Sequence, residues 1–343
     1  MSALKENLFG KTLSELRVVA EEVGLPAFAA KQIADWLYKK QAENIDEMTN
    51  ISLPKREMIK ERYDVGCTPP VECITSTDGT KKYLFQIQDK GYVESVLIPD
   101  RERNTLCVSS QIGCKMNCLF CMTGKQGFSG NLTSGEILNQ IRSVPESAEL
   151  TNLVFMGMGE PMDNYSELLK ALEILTSTYG YGRSPRRITV STIGITPAVV
   201  RFVEQSECHL AVSLHASDSA TRQKLMPVEK AYPFEKLLGE LEKYDFAHQR
   251  RLSFEYILFD GVNDSRQHAL ALAQRLRRLT CRVNLIRFHA IPGVELKGSS
   301  LEAMEQFRDT LNSKGIICTI RTSRGEDIMA ACGMLSTQKT GVN

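Results

Sequence analysis

The 343-residue sequence has little charge imbalance, no long apolar run and few histidines. Forty-two Lys and Arg stand against 41 Asp and Glu, a formal net charge of +1. No global field therefore draws the chain to nucleic acid or membrane, and any RNA contact has to be a local patch. No run reaches the roughly 18 apolar residues of a membrane span, so no membrane partner is expected. The opening stretch MSALKENLFGKTLSELRVV lacks an apolar core; no secretory signal is expected and a cytoplasmic chain is. The five histidines are His209, His215, His248, His268 and His289. What remains is ordinary for a soluble globular protein, with 42% hydrophobic and 24% charged residues. The length suits one large domain with a small one, or two medium domains.

Cysteine is the exception. Ten are present, a high count for a compartment that disfavours structural disulfides. Cys208, Cys281 and Cys318 lie at the edges of apolar runs and read as small buried hydrophobes; Cys67 and Cys73 read the same way. Three others, Cys114, Cys118 and Cys121, share the stretch QIGCKMNCLFCMTG with the spacing C-x3-C-x2-C. A structural zinc site would close with a fourth ligand, but no histidine and no second C-x2-C lies near the triad. A zinc site completed from a distance remains the alternative, that of a non-enzymatic RNA-binding protein. An iron–sulfur cluster is the stronger reading: four-iron clusters usually take four thiolates, so three leave one iron open to a ligand.

Residues 12 to 62 read as a small helical bundle. Thr12 and Glu15 form a capping-box pair ahead of LSELRVVAEEV, and Gly24 and Pro26 end that helix. AFAAKQIADWLYKKQ repeats the pattern, with Ile33, Trp36 and Leu37 on one face, and LPKREMIKERY is a third helix. Through Asp64 ten basic residues meet eleven acidic ones, and the pairs Lys39–Lys40 and Lys55–Arg56 read as solvated faces. KKYLFQIQ and YVESVLIP, joined by DKG, read as a hairpin between domains. Six strand-then-helix units follow, from NTLCVSS through RVNLIRFHAIPG and LEAMEQFRDTLNSKG. Their near-continuous apolar strands suit a parallel sheet buried on both faces. An open partial barrel and a doubly wound sheet both fit, and in either the site lies at the strands' carboxyl ends. GMGEP, STIG, SLHA and RFHAIPG occupy four such ends, which points to one large polar site.

The triad, with Phe120 just before its last cysteine, resembles the signature of radical S-adenosylmethionine enzymes. Together with VFMGMGEPMDNY, RITVSTIGITP, AVSLHA, KLMPVEKAYP, FEYILFDGVNDS and AACGML it resembles the RlmN/Cfr family of RNA methyltransferases, over nearly the whole chain; MGEP leans to the RlmN side. The resemblance implies an α/β fold: a partial (βα)6 TIM-like barrel over residues 101–343 ending in a catalytic loop. Residues 1–66 would be an RNA-binding helical domain and 67–100 a bridging hairpin. It implies methylation at C2 of adenine 2503 in 23S rRNA and of adenine 37 in some tRNAs, with C8 methylation of the Cfr type as the alternative.

The implied cofactors are a [4Fe–4S] cluster on Cys114, Cys118 and Cys121, and S-adenosylmethionine, used twice per turnover. Gly159, Glu160, Ser191, Ser213, Leu214 and His215 would bind S-adenosylmethionine, and so would His289, which stands where many relatives carry asparagine. By residue type alone His215 would be a core histidine and Glu94 a solvated carboxylate. The resemblance makes Cys332, between small neighbours, the methyl carrier. It makes Cys107 the thiol that resolves the adduct and Glu94 the acceptor of the C2 proton. The implied partners are 23S rRNA, tRNA and a flavodoxin-like electron donor, acting on a monomer. GRSPRR (182–187) and Arg250–Arg251 are candidate phosphate contacts, whereas RLRR (275–278) reads as a solvated helix face.

Overall fold

Apolar strands separated by single helices return to one sheet through right-handed crossovers, which place the helices on the same face. The computed structural model, which describes residues 5–247 and 250–337, contains one ten-stranded sheet built on this plan; His248 lies outside the described residues. The strands are β1 (Glu72–Thr75), β2 (Lys81–Ile87), β3 (Gly91–Asp100), β4 (Arg103–Cys107) and β5 (Asn152–Phe155). They continue as β6 (Ile188–Thr192), β7 (His209–Ser213), β8 (Leu252–Leu258), β9 (Cys281–Arg287) and β10 (Ile317–Ile320). Neighbours in sequence are neighbours in space from β1 to β10. A doubly wound sheet reverses its strand order at a switch point. This sheet never reverses and β1 does not pair with β10, so it is the open, partial-barrel form of the α/β class.

β4 to β10 run parallel, and β1 to β4 are antiparallel. Two features differ from the sequence reading. A seventh parallel strand, β10, pairs with β9 from Arg282↔Ile317 to Leu285↔Ile320. It is four residues long and partly exposed, as an edge strand is, so it lacks the apolar run that marked the other six. The KKYLFQIQ and YVESVLIP strands also continue the large sheet, with β3 paired to β4 from Val96↔Cys107 onward.

The chain divides into two compact units, and one of them, Val71–Asn131, Glu149–Asn164 and Arg186–Asn343, holds the entire large sheet. Val190, Leu210, Val212, Phe254, Tyr256, Val283 and Leu285 on β6 to β9 are fully buried. The helix Phe234–Leu241 buries Phe234, Leu237, Leu238 and Leu241, the i, i+3, i+4, i+7 stripe of a helix facing a core. Emptying such a position, as in Phe254→Ala, costs about 3–5 kcal/mol. Cys208 and Cys318 are buried and Cys281 is partly so, but Cys73 is exposed. It lies on β1, every residue of which is exposed at the sheet edge, so it is not the buried hydrophobe expected.

The other unit is Met1–Pro70, Leu132–Ala148 and Tyr165–Pro185. The helix Leu13–Glu22 starts on the Thr12/Glu15 capping box. The helix Ala29–Ala34 does not run on regularly: a π-turn covers Asp35–Lys39. That extra residue rotates the face, so Ile33, Leu37 and Tyr38 are buried while Trp36 is only partly so. Tyr38 donates to the Lys11 carbonyl at 2.5 Å. Trp36 donates to Asn50 Oδ1 at 2.6 Å and lies under the Lys40 ammonium. Lys39 and Lys40 pair with Asp35, and Lys55 donates to the Val23 carbonyl. Arg142 is buried, with its guanidinium on the Gln41 and Ala42 carbonyls and the Cys67 sulfur.

Candidate active site

The carboxyl ends of β5 to β9 and the loop after β4 border one cavity of about 800 Å3, counted to its open mouth. Cys114, Cys118, Cys121, Gly159, Glu160, Ser191, Ser213 and His215 all line it, as does Cys332. Four expected strand ends were GMGEP, STIG, SLHA and RFHAIPG; the first three meet here. Leu214 is buried behind the wall, with its carbonyl taken by Arg222 Nε at 3.2 Å.

The cysteine loop is shaped by backbone. Gly113 has φ +75°, and a Cβ there would lie 1.8 Å from the Gly127 carbonyl oxygen, the group that accepts from the Cys114 N–H at 2.8 Å. Only glycine fits such a position. The Met116 N–H donates to the Cys114 sulfur at 3.5 Å. Gly159, at φ +97°, has no room for a Cβ either, because Gln111 Cβ would be 2.5 Å away.

Burial pushes the Cys114 thiol up to about 12 and raises that of Cys118 well beyond its ordinary value. Thiols ligate as thiolates, so this pocket holds them charged only beside a cation. Cys114, Cys118 and Cys121 line one cavity, and three thiols are a donor set for an iron–sulfur cluster with one iron left open.

Glu160 lines the cavity and braces its wall. Its Oε1 accepts from Thr192 Oγ1 at 2.6 Å and the Met162 N–H at 3.0 Å, and its Oε2 accepts from the Ile193 N–H at 2.8 Å. Burial is the main influence on it and lifts its carboxyl to about 7 despite these bonds. His215 sits at φ +54° with its ring nearly perpendicular to that of Phe120, centroids 4.8 Å apart. Burial, and then the Arg222 charge, lower it to about 3, so the ring is neutral. Its Nδ1 accepts from the Ile257 N–H at 2.9 Å, which leaves the ring proton on Nε2 as a donor.

A second cavity shares Cys121, Met156, Gly157, Ile286, Cys332 and Gly333 with the first. Cys107 and His289 line only this one. Cys332 is exposed, but its surface opens onto the cavities and protein surrounds it on the other sides; burial raises its thiol and Arg321 opposes the rise. Cys107, buried at the cavity wall, is pushed up to about 12, first by burial and then by Cys332. His289 does not reach the first cavity. Its Nδ1 lies 3.0 Å from the Glu326 carboxylate and its Nε2 2.8 Å from the Ser323 hydroxyl, so both nitrogens are engaged by the segment that carries Cys332. Glu94 lines neither cavity. It pairs with Lys82 at 3.0 Å and accepts from the Ser336 N–H at 3.0 Å. Burial is the larger influence and raises its carboxyl against the pull of Lys82.

Three residues absent from the sequence reading belong here. Arg321 follows β10, lines the second cavity and acts on both Cys332 and Cys107. Glu255, buried on β8, lines the first; its Oε1 accepts from Asn284 at 2.8 Å, and its Oε2 has no hydrogen bond and stands 3.7 Å from Arg321. Arg222 is fully buried beside the strand ends. A charge inside an apolar run, as in FEYILF, was the available signal for Glu255; Arg321 and Arg222 carried none, because their partners are distant in sequence.

Residues 6–65 match the model of the ribosomal RNA large subunit methyltransferase N-terminal domain, and residues 108–273 match that of the radical SAM superfamily. A probable dual-specificity RNA methyltransferase RlmN from Parabacteroides distasonis is 62% identical over 98% of this chain and 98% of its own length. The dual-specificity RNA methyltransferase RlmN of Marinobacter nauticus is 40% identical, over 97% of this chain and 93% of its own. The crystal structure of a radical SAM methyltransferase from Sphaerobacter thermophilus superposes with a TM-score of 0.90 at 39% identity, covering 97% of this chain and all of that one. The relatives imply an RNA substrate, an iron–sulfur cluster and S-adenosylmethionine, for which the three thiols and the strand-end cavity are suited. The chain belongs to the RlmN family of radical S-adenosylmethionine RNA methyltransferases.

Proposed function

We propose that the protein methylates C2 of an adenine in folded RNA, adenine 2503 of 23S rRNA and adenine 37 of some tRNAs, through Cys332 and with two S-adenosylmethionine per turnover. The observation that carries this reading is that Cys332 borders both cavities. A residue that collects a methyl group beside one ligand and delivers it beside another needs access to both.

Cys114, Cys118 and Cys121 are the proposed ligands of a [4Fe–4S] cluster. Bound there with S-adenosylmethionine, it supplies the one-electron chemistry that C2, electron-poor between two ring nitrogens, requires. Cys332 acts first as a nucleophile: its thiolate forms an S–C bond as the sulfonium C–S bond breaks. The Arg321 guanidinium favours that thiolate. The methyl carbon would give up a hydrogen atom to the bound cofactor before joining C2, and the adduct would return one electron to the cluster as it loses the C2 proton. The Cys107 thiolate then attacks the Cys332 sulfur, the S–S bond forming as the S–C bond breaks, and the released carbon takes up a proton to become the methyl group. An external thiol reopens that disulfide before the next cycle. Glu94 is the proposed acceptor of the C2 proton; its raised pKa makes it a stronger base.

In the first cavity Ser191, Ser213 and the Nε2–H of His215 are the proposed polar contacts to S-adenosylmethionine, with Gly159 allowing close approach. Residues 1–66 are the proposed RNA-binding domain, and the target base has to be unstacked to reach Cys332. A flavodoxin-like protein is the proposed electron donor, to a cytoplasmic monomer.

Nucleoside mass spectrometry tests the reading. Protein reconstituted without oxygen is given S-adenosylmethionine, a reductant and an unmodified 23S rRNA fragment. 2-Methyladenosine is expected; 8-methyladenosine would move the activity to the other carbon, and no methylated adenine with an intact cluster would sink the assigned substrate.

A further inference from the structure

Among the described residues Arg222 is the largest fully buried side chain, with no exposed surface. An arginine so placed is costly to desolvate unless its donors are met. Here they are met by one carboxylate and by three backbone carbonyls of the cofactor site. Nη1 pairs with Glu229 Oε2 at 2.5 Å. Nη2 donates to the Ile193 carbonyl at 2.6 Å and the Ser213 carbonyl at 3.1 Å, and Nε to the Leu214 carbonyl at 3.2 Å. Glu229, also buried, accepts in turn from the Phe234 N–H at 3.1 Å and Ser219 Oγ at 2.7 Å.

The three carbonyls belong to two strand-end loops. Ile193 follows β6, two residues after Ser191; Ser213 ends β7 and Leu214 follows it, just before His215. β6 and β7 pair only as far as Thr192↔Val212, so beyond that point no ladder sets the distance between the loops. The guanidinium bridges them there. The Ile193 residue is held from both sides, its N–H by Glu160 and its carbonyl by Arg222.

We propose that the Arg222–Glu229 pair is the positioning element of the S-adenosylmethionine site. By tying the loop after β6 to the loop after β7, it sets the spacing of Ser191, Ser213 and His215 and so the affinity for the sulfonium cofactor. The planar fork of arginine matters, since a lysine ammonium in its place reaches fewer of these carbonyls at once. The inference rests on the reading that the first cavity takes S-adenosylmethionine.

The test is equilibrium binding of S-adenosylmethionine to cluster-loaded protein without oxygen, with iron and sulfide content and thermal stability measured alongside. Arg222→Lys should weaken binding roughly 10- to 100-fold, as outer supports of a site do, at unchanged iron content. The double variant Arg222→Met/Glu229→Leu removes both buried charges and spares the fold an unpaired ion; it too should bind weakly. Arg142→Lys is the control, a buried arginine on carbonyls in the other unit, which should lose stability and keep its affinity.

Full affinity in the folded Arg222 variants, or an equal loss in the control, would overturn the proposal. Hydrogen exchange on the unaltered protein decides the matter where a variant does not fold. S-adenosylmethionine should slow exchange at the Ile193–Gly194 and Leu214–His215 amides, and unchanged rates there would refute the inference. If the unaltered protein itself takes up no S-adenosylmethionine, the reading of the cavity falls and this inference with it; binding without dependence on Arg222 removes the inference alone.

Discussion

The two cavities share a wall but are built differently. The first is made of strand ends and is held by main-chain ladders, by Glu160 and by Arg222. The second is closed by residues 321–337, which form no helix or strand. That segment is fastened by scattered hydrogen bonds: Asp78 to the Gly325 N–H, Asp327 to Ser76, His289 to Ser323, Glu94 to the Ser336 N–H, and Thr123 to the Leu335 carbonyl. Each contributes about 0.5–1.5 kcal/mol, and Ala331 and Met334 pack into the core beside Phe120 and Phe288; without ladder bonds the segment is expected to open at lower cost than a strand of the sheet. A fixed frame suits ligands that must be held. A loosely fastened segment suits the proposed role of Cys332, which serves two positions.

The sharpest way to break this comparison is to remove one thiol from each side. Cys118→Ala should lose the iron and the activity together, because two thiols do not hold a four-iron cluster. Cys332→Ala should keep its iron and sulfide and form no methylated adenine. Residual product from that variant would show that Cys332 is not the carrier, and lost iron would show that it ligates.

A smaller effect separates the frame from the fastened segment by pH. His215 has its pKa lowered to about 3 by burial and by Arg222, against about 6.5 in an unfolded chain. The folded state therefore binds fewer protons, and stability is lost as pH falls through the unfolded value. The His215 contribution should reach about 2 kcal/mol between pH 6.5 and about 5. Glu160, raised to about 7, acts in the opposite direction over the same range, so the His215 contribution is read as the difference in urea midpoint between the protein and His215→Asn across that range. An unaltered slope in the variant would assign the acid sensitivity to other groups.

The same difference decided what could be read from the sequence. C-x3-C-x2-C, GMGEP, STIG and SLHA are local patterns at the ends of apolar runs, and the chain geometry that joins them is fixed by strand alternation. The seventh strand was missed because IICTI is short and half exposed, and Arg321 was missed with it, since its position has meaning only as the end of a strand. Arg222 and Glu255 act on groups from other strands, a relation no local spacing records. Trp36 was misplaced because a π-turn shifts the helical phase after Ala34, and nothing in AFAAKQIADWLYKKQ marks that turn. Cys107 and Cys332 lie 225 residues apart and meet only in the folded chain, so their common cavity came from resemblance rather than from pattern.

The smallest expected effect bears on His289, which by resemblance would contact S-adenosylmethionine and which lines only the second cavity. Both of its ring nitrogens are engaged by Ser323 and Glu326. If it serves to fasten the segment, His289→Ala should cost about 1 kcal/mol locally. Amides of residues 321–337 would then exchange several-fold faster, with S-adenosylmethionine affinity unchanged. The opposite pattern, weaker cofactor binding with no change in exchange, would move His289 into the frame. It would also mean that the wall between the cavities shifts when the ligand enters, because His289 would have to release Ser323 or Glu326 to free a nitrogen for the cofactor. Measuring exchange with and without S-adenosylmethionine distinguishes these cases, since only a histidine that changes partners lets the ligand loosen the segment that carries Cys332.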